Sequence, residues 1–217
     1  MRYILILLPL LFFTMILDAK SSYAHSKGKY YSNWHLNKIY KKVLRKSSVN
    51  KKALKNAFSY YKKNKKRKKL SKRYMAIADY TKRSTLKRLY IIDLLNGKVS
   101  RHQVAHGVRS GAKGGRVWRS SNSLNSHMTP YGFFKVGSWE GVTSKKKYRY
   151  LPIKGLQWSN RKVGLPTRYG GRDIVLHTAS YVNRGGRSFG CFAINPKDKY
   201  AVFKRLKRAL LYSFTGK

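Results

Sequence analysis

Acidic side chains are nearly missing from this chain: six Asp and Glu stand against 50 Lys and Arg in 217 residues, for a net charge of +44. That shortage disfavours whole classes of chemistry. A glycosidase works with two carboxylates about 5–10 Å apart across the scissile bond, whereas Asp79, Asp93, Glu140, Asp173 and Asp198 are scattered along the sequence. Calcium and two-metal sites need carboxylate clusters, and the sequence shows none. The histidines at 25, 35, 102, 106, 127 and 177 lack zinc-ligand spacing. A metallopeptidase or muramidase is therefore disfavoured, and no metal or other cofactor is expected.

Cysteine is rarer still. Cys191 is the only one, so the chain cannot form a disulfide within itself. Long apolar runs are confined to residues 3–17, behind the single Arg2 and ahead of Ser22-Tyr23-Ala24. That layout is a secretory signal over 1–24, cleaved after Ala24. Its apolar stretch is short of the roughly 20 residues a spanning helix needs, and nothing later could span a bilayer. The expectation is a soluble protein exported to the periplasm, the cell envelope or the medium, carrying one thiol into an oxidising compartment. A thiol kept there without a partner is either an accident or a reagent.

Positive charge is what the chain has in excess. It attracts polyanions and binds them in a salt-dependent way. The basic runs, Lys62 to Lys69 and Lys145 to Lys147, match no helix-turn-helix, zinc finger or RNA-recognition pattern. Specific nucleic-acid binding is not expected. The fitting partners are anionic envelope polymers, met through the lysine-rich surface.

The chain divides into three parts: the signal over 1–24, a lysine-rich helical extension over 25–73, and a β-rich domain over 74–217. The extension has nineteen Lys and Arg and no acid. Apolar residues recur at helical spacing over 34–46 and again from Asn50 to about Lys66. This pair is stable mainly if its apolar stripe docks on the domain beyond it. Strands are expected at 74–80 and 87–95, with Asn96-Gly97 as a hairpin turn into a third over 99–106. A long loop over 107–126 precedes strands at 131–136 and 173–177. A helix over 197–209 and a closing strand over 210–214 complete the chain. No internal repeat is visible, and Trp118, Trp139 and Trp158 are read as packing residues. The fold class is mainly β with helices.

The chemistry gathers at two places. Ile174-Val175-Leu176-His177 is an apolar run ending in an imidazole, and Arg187-Ser188-Phe189-Gly190-Cys191 holds the thiol. An imidazole can take a thiol proton and return it to a leaving amine. Gly190 allows a tight turn in which the Gly190 and Cys191 amides could face a carbonyl oxygen. Positive neighbours, Arg187 first, would lower the thiol pKa.

These segments resemble the L,D-transpeptidase family (the YkuD-type catalytic domain), and more closely its murein subgroup. Thr129-Pro130-Tyr131-Gly132-Phe133-Phe134 is similar to the family's Thr-Pro-x-Gly-x-Phe. Ile174–His177 matches its strand ending in histidine, and Ser188 to Cys191 its Ser-x-Gly-Cys. Lys87–Asp93 and Val104–Gly107 are similar to patterns of the subgroup. The resemblance spans roughly 74–214. It departs from the common motif at Phe189 and Ala193, both tolerated in the subgroup.

What the resemblance implies is a β-sandwich-like domain acting on peptidoglycan stem peptides. Cys191 would be acylated by a tetrapeptide stem with release of D-alanine, and an amine of a second stem would resolve the thioester. His177 would be base and acid, oriented by the Thr178 carbonyl, a role that needs no carboxylate. Tyr181, Arg187, Ser188, His127 and His106 are the candidate substrate contacts. An L,D-carboxypeptidase would carry the same pair, and a non-catalytic basic wall-binding protein would keep the fold.

Overall fold

The computed structural model describes residues 29–143 and 148–216; the expected signal over 1–24 lies outside the described residues. Two amphipathic helices come first, α1 (Asn33–Lys46) and α2 (Lys51–Asn64). Each is started by a side chain that accepts one of the unpaired N–H groups of its first turn: Ser32 takes the His35 N–H and Asn50 takes the Ala53 N–H. Their apolar stripes, Leu36, Ile39 and Val43 on one and Leu54, Ala57, Phe58 and Tyr61 on the other, are buried.

The strands are β1 (Tyr74–Asp79), β2 (Leu89–Asp93), β3 (Val99–His102), β4 (His106–Gly107), β5 (Gly132–Val136), β6 (Gly141–Val142), β7 (Arg149–Gly155), β8 (Val175–Thr178), β9 (Arg187–Ser188), β10 (Phe192–Ile194) and β11 (Leu210–Phe214). A third helix, α3 (Lys199–Leu206), precedes the last strand. Nine strands form one sheet in the order β10-β8-β7-β5-β11-β1-β2-β3, with β6 on β7. The pairs β1–β11 and β8–β10 are parallel, and the other pairs in this sheet are antiparallel.

Both faces of the central strands are covered, and period-two alternation sorts their side chains. On β1, Met75 and Ile77 join the layer under α1 and α2, while Ala76 and Ala78 point into the interior with Phe134, Leu176, Phe192 and Phe203. The helical pair is thus packed on the sheet. His35 reaches across to the Leu94 carbonyl at 2.8 Å, tying α1 to the end of β2.

The sheet curls until its edges nearly meet. Val104 bridges Ile194, and the Ala105 N–H donates to the Ala193 carbonyl at 2.9 Å. This closure explains a difference from the strand expected over 99–106. The strand stops at His102 because the chain there leaves β2 for the opposite edge, and His106–Gly107 then pairs with β9 instead.

β7 and β10 were not anticipated. Pro152 sits within β7, where proline normally argues against a central strand, yet β7 lies between β5 and β8. The tryptophans also differ from expectation. Trp118, Trp139 and Trp158 are all more than half exposed, and Arg119 and Arg161 lie over the rings of Trp118 and Trp158. Among the described residues, no helix is long and apolar enough to cross a membrane.

Candidate active site

The parallel β8–β10 ladder sets His177 opposite Ala193 and Leu176 opposite Phe192. Continued back one residue, it places Cys191 beside Val175. Side chains two apart on a strand share a face, so His177 and Cys191 emerge on the same side of neighbouring strands. Both line one open cavity of about 700 Å³, together with Tyr148, Tyr181, Arg187, Phe189 and Asp173.

His177 is buried, with its ring stacked on Tyr148 at 5.5 Å between centroids. Its Nδ1 lies 3.0 Å from the Thr178 carbonyl oxygen. A carbonyl only accepts, so Nδ1 carries the proton and the Nε2 lone pair remains available. Burial holds the imidazole below its usual pKa, against the pull of the Thr178 bond. The ring is therefore neutral at pH 7, in the tautomer that can accept a proton at Nε2.

The thiol departs from expectation. Burial raises its pKa; the Val175 N–H lowers it, the Asp173 carboxylate raises it and the Arg172 guanidinium lowers it. Arg187 is not among these influences. Instead its Nη1 donates to the Val108 and Gly111 carbonyls, each at 3.3 Å, from a position on the cavity wall. The free protein thus holds a neutral thiol beside a neutral imidazole, in place of a preformed ion pair. Alkylation of Cys191 by iodoacetamide should accordingly be slow at pH 7 and rise about tenfold per pH unit, still climbing past about pH 8.5, the ordinary thiol value. A maximal rate already reached at pH 6 would contradict this electrostatic picture.

The turn that carries the cysteine is built by Ser188 and Gly190. Ser188 Oγ donates to the Cys191 carbonyl at 2.7 Å and accepts the Gly190 N–H at 3.1 Å. One expectation changes as a result. The Gly190 amide is spent inside the turn, so it is not a donor to a carbonyl in the cavity. The Ser188 hydroxyl braces the turn, and the residue also lines the cavity.

Gly190 has φ +113°, and a Cβ there would lie 2.6 Å from the Met128 carbonyl oxygen and 2.7 Å from Arg172 Nη2. Gly190→Ala must therefore shift the cysteine turn. Since a displacement of about 1 Å can cost roughly 100-fold in rate, turnover should fall by at least about that factor, read as kcat with melting temperature measured alongside.

The remaining candidates separate. Tyr181 lines the cavity, and burial first, then proximity to Cys191 and Tyr148, raises its pKa, so its phenol stays a hydroxyl donor. His127 is outside the lining and meets it through Phe189, their ring centroids 4.8 Å apart. His106 is taken out of the cleft altogether. It is 1% exposed, accepts from Arg88 Nη2 at 2.8 Å through Nδ1, and burial and the Arg88 charge push its pKa down to about 4. Its strand supports β9, and hence the cysteine turn beyond it.

Two residues beside the thiol were missed. Arg172 is buried, and its guanidinium donates to the Ser121 and Met128 carbonyls at 2.6 and 2.7 Å, pinning the long loop beneath Gly190. Asp173 stands exposed on the cavity rim with φ +48°. Among the described residues, no group of three or more His, Cys, Asp or Glu could hold a metal.

The fold and this site define a curled β-sheet domain that presents a thiol and a tautomerically fixed imidazole in an open cleft. The chain belongs to the L,D-transpeptidase catalytic-domain family, whose model matches residues 45–214. No curated protein matches it. Among solved structures it is similar to the helical cell shape determining protein Pgp2 from Campylobacter jejuni, with 16% identity and a TM-score of 0.41 over 67% of this chain and 49% of that one. It is also similar to the L,D-transpeptidase from Xylanimonas cellulosilytica, with 14% identity and a TM-score of 0.37 over 65% of this chain and 60% of that one. The chain thus spans about half to three-fifths of the lengths of these proteins.

Proposed function

We propose that this protein is an exported L,D-transpeptidase acting on peptidoglycan stem peptides, with Cys191 as nucleophile. The observation that carries the reading is the bond from His177 Nδ1 to the Thr178 carbonyl, which leaves Nε2 as a base in the cavity that holds the thiol. Nε2 takes the thiol proton as Sγ attacks the carbonyl carbon before D-alanine. The C–N bond breaks, and the same proton passes to the departing amine of D-alanine. An amine of a second stem then attacks the thioester, gives up a proton through Nε2, and the thiol is restored.

The wall composition favours transfer to an amine. Asp173 is the carboxylate on the cavity wall among the described lining residues. It can hold an ammonium group of an incoming stem, while Arg187, also on the cavity wall, can pair with a stem carboxylate through its remaining nitrogens. The excess of Lys and Arg retains the exported protein on anionic envelope polymers.

Incubation with a defined tetrapeptide muropeptide tests the reading. Intact-mass analysis after an acid quench should find the protein heavier by the acyl tripeptide portion, with the adduct mapping to Cys191. Free D-alanine and cross-linked dimers should appear together. Tripeptide without dimers in the presence of acceptor would establish hydrolysis in place of transfer, and absence of both adduct and D-alanine would remove the enzyme.

A further inference from the structure

A second recess lies away from the cysteine cavity, where the segment after α2, the β5–β7 sheet and the α3–β11 turn come together. It comprises two adjoining cavities of about 560 and 530 Å³ that share Lys69 and Arg208 and have no residue in common with the cysteine cavity. Lys135 and Lys154 enter from β5 and β7, and Lys207 from the turn. No carboxylate pairs with any of these five among the described residues. Asp93 is engaged by Arg73, and Glu140 by Arg149 and Lys199.

The backbone holds these cations together. Lys69 and Arg208 both adopt left-handed φ, +48° and +62°, which ordinary side chains adopt at a cost. The Ser71 N–H donates to the Arg208 carbonyl at 2.7 Å, joining the two turns, and the Arg208 N–H donates to the Gly137 carbonyl at 3.3 Å beyond β5. Lys135 is half-buried, its Nζ on the Lys68 carbonyl. Burial, then the charges of Arg208, Lys69 and Lys154, lower its pKa. Like charges held at mutual expense are stabilised by an anion placed among them.

We infer that this recess is a binding site for a chain of closely spaced phosphate groups, centred on Lys69, Lys135, Lys154 and Arg208. A cluster of uncompensated cations matches the charge density of linked phosphates better than single carboxylates. The recess is concave and extends through two joined cavities, which suits a soluble chain in preference to a flat lipid surface. This sharpens the charge-retention part of the proposed function and does not depend on the catalytic part.

The test uses the full chain and short-chain inorganic polyphosphate as probe, with poly-glutamate and phosphatidylglycerol vesicles as comparison arms. The triple variant Lys69→Asn, Lys154→Gln, Arg208→Asn keeps residues that tolerate left-handed backbone where that is needed. It should bind polyphosphate about 30-fold or more weakly, since each lost contact is charge-assisted. A control with Lys41→Gln, Lys52→Gln and Lys55→Gln, exposed on the helices, should stay within about threefold. Should the triple variant unfold, Lys154→Gln alone should still show a loss of about fivefold, more than the three-residue control.

Equal losses in both triple variants, or equal binding of poly-glutamate by the wild type, would overturn the site in favour of diffuse charge. A loss confined to vesicle binding would replace the chain with a membrane surface. No polyphosphate binding by the wild type would end the proposal. Release of D-alanine from a soluble tetrapeptide should be unchanged in the recess variant, so either reading can fail without the other.

Discussion

Cys191→Ala is expected to abolish release of D-alanine from a tetrapeptide stem. Removing the nucleophile of a covalent mechanism costs about 10⁶-fold in kcat in well-studied hydrolases, which places the variant below detection. The chain has no second thiol to substitute, and water reaching the cavity would find a base but no acyl acceptor. Folding should be nearly unaffected. Cys191 is half-buried and packs at the margin of the interior core, so deleting one sulfur costs about 1 kcal/mol or less. The measurement therefore pairs D-alanine release with a melting curve. Retained release at unchanged stability would show that the thiol is a packing residue and that the chemistry lies elsewhere. Polyphosphate binding in this variant should match the wild type, because the two recesses share no residue.

The parts of this site that were legible in the sequence are those made by local patterning. A strand ending in histidine, a Ser-x-Gly-Cys turn and helical stripes at 36, 39, 43 and 54, 57, 58, 61 depend on neighbours within a few residues. Even the Thr178 carbonyl obeys this rule, since it is one residue from the imidazole it orients. What stayed hidden is set by contacts between distant segments. Arg172, whose charge lowers the Cys191 pKa, is held by the carbonyls of Ser121 and Met128, 51 and 44 residues away. His106 looks like a cleft histidine until Arg88 and burial neutralise it. The thiol's pKa was misjudged because abundant positive charge in the composition says nothing about local desolvation at one sulfur. β7 was obscured by Pro152, whose missing N–H speaks against a ladder position that the surrounding strands nevertheless hold.

His177→Gln should lower kcat by about 10²–10⁴-fold near neutral pH, the usual contribution of a positioned general base, and it should change the shape of the pH profile as well as its height. In the wild type the limiting ionisation at low pH is His177 itself. Burial places that step below the ordinary value of about 6.5, so activity should rise as the ring loses its proton in mildly acidic solution and then level off. The neutral thiol is no handicap on the plateau, because Nε2 removes its proton during attack. With glutamine in place no such base exists, and only the small fraction of thiolate reacts. That fraction grows tenfold per pH unit until the thiol titrates, which burial places above its ordinary value of about 8.5. The variant's rate should therefore keep climbing where the wild type is flat, and the gap between them should narrow steadily toward pH 9. A variant whose profile runs parallel to the wild type at every pH would show that His177 only shapes the cavity. A gap that closes with alkali is the signature of a base whose work hydroxide can do instead.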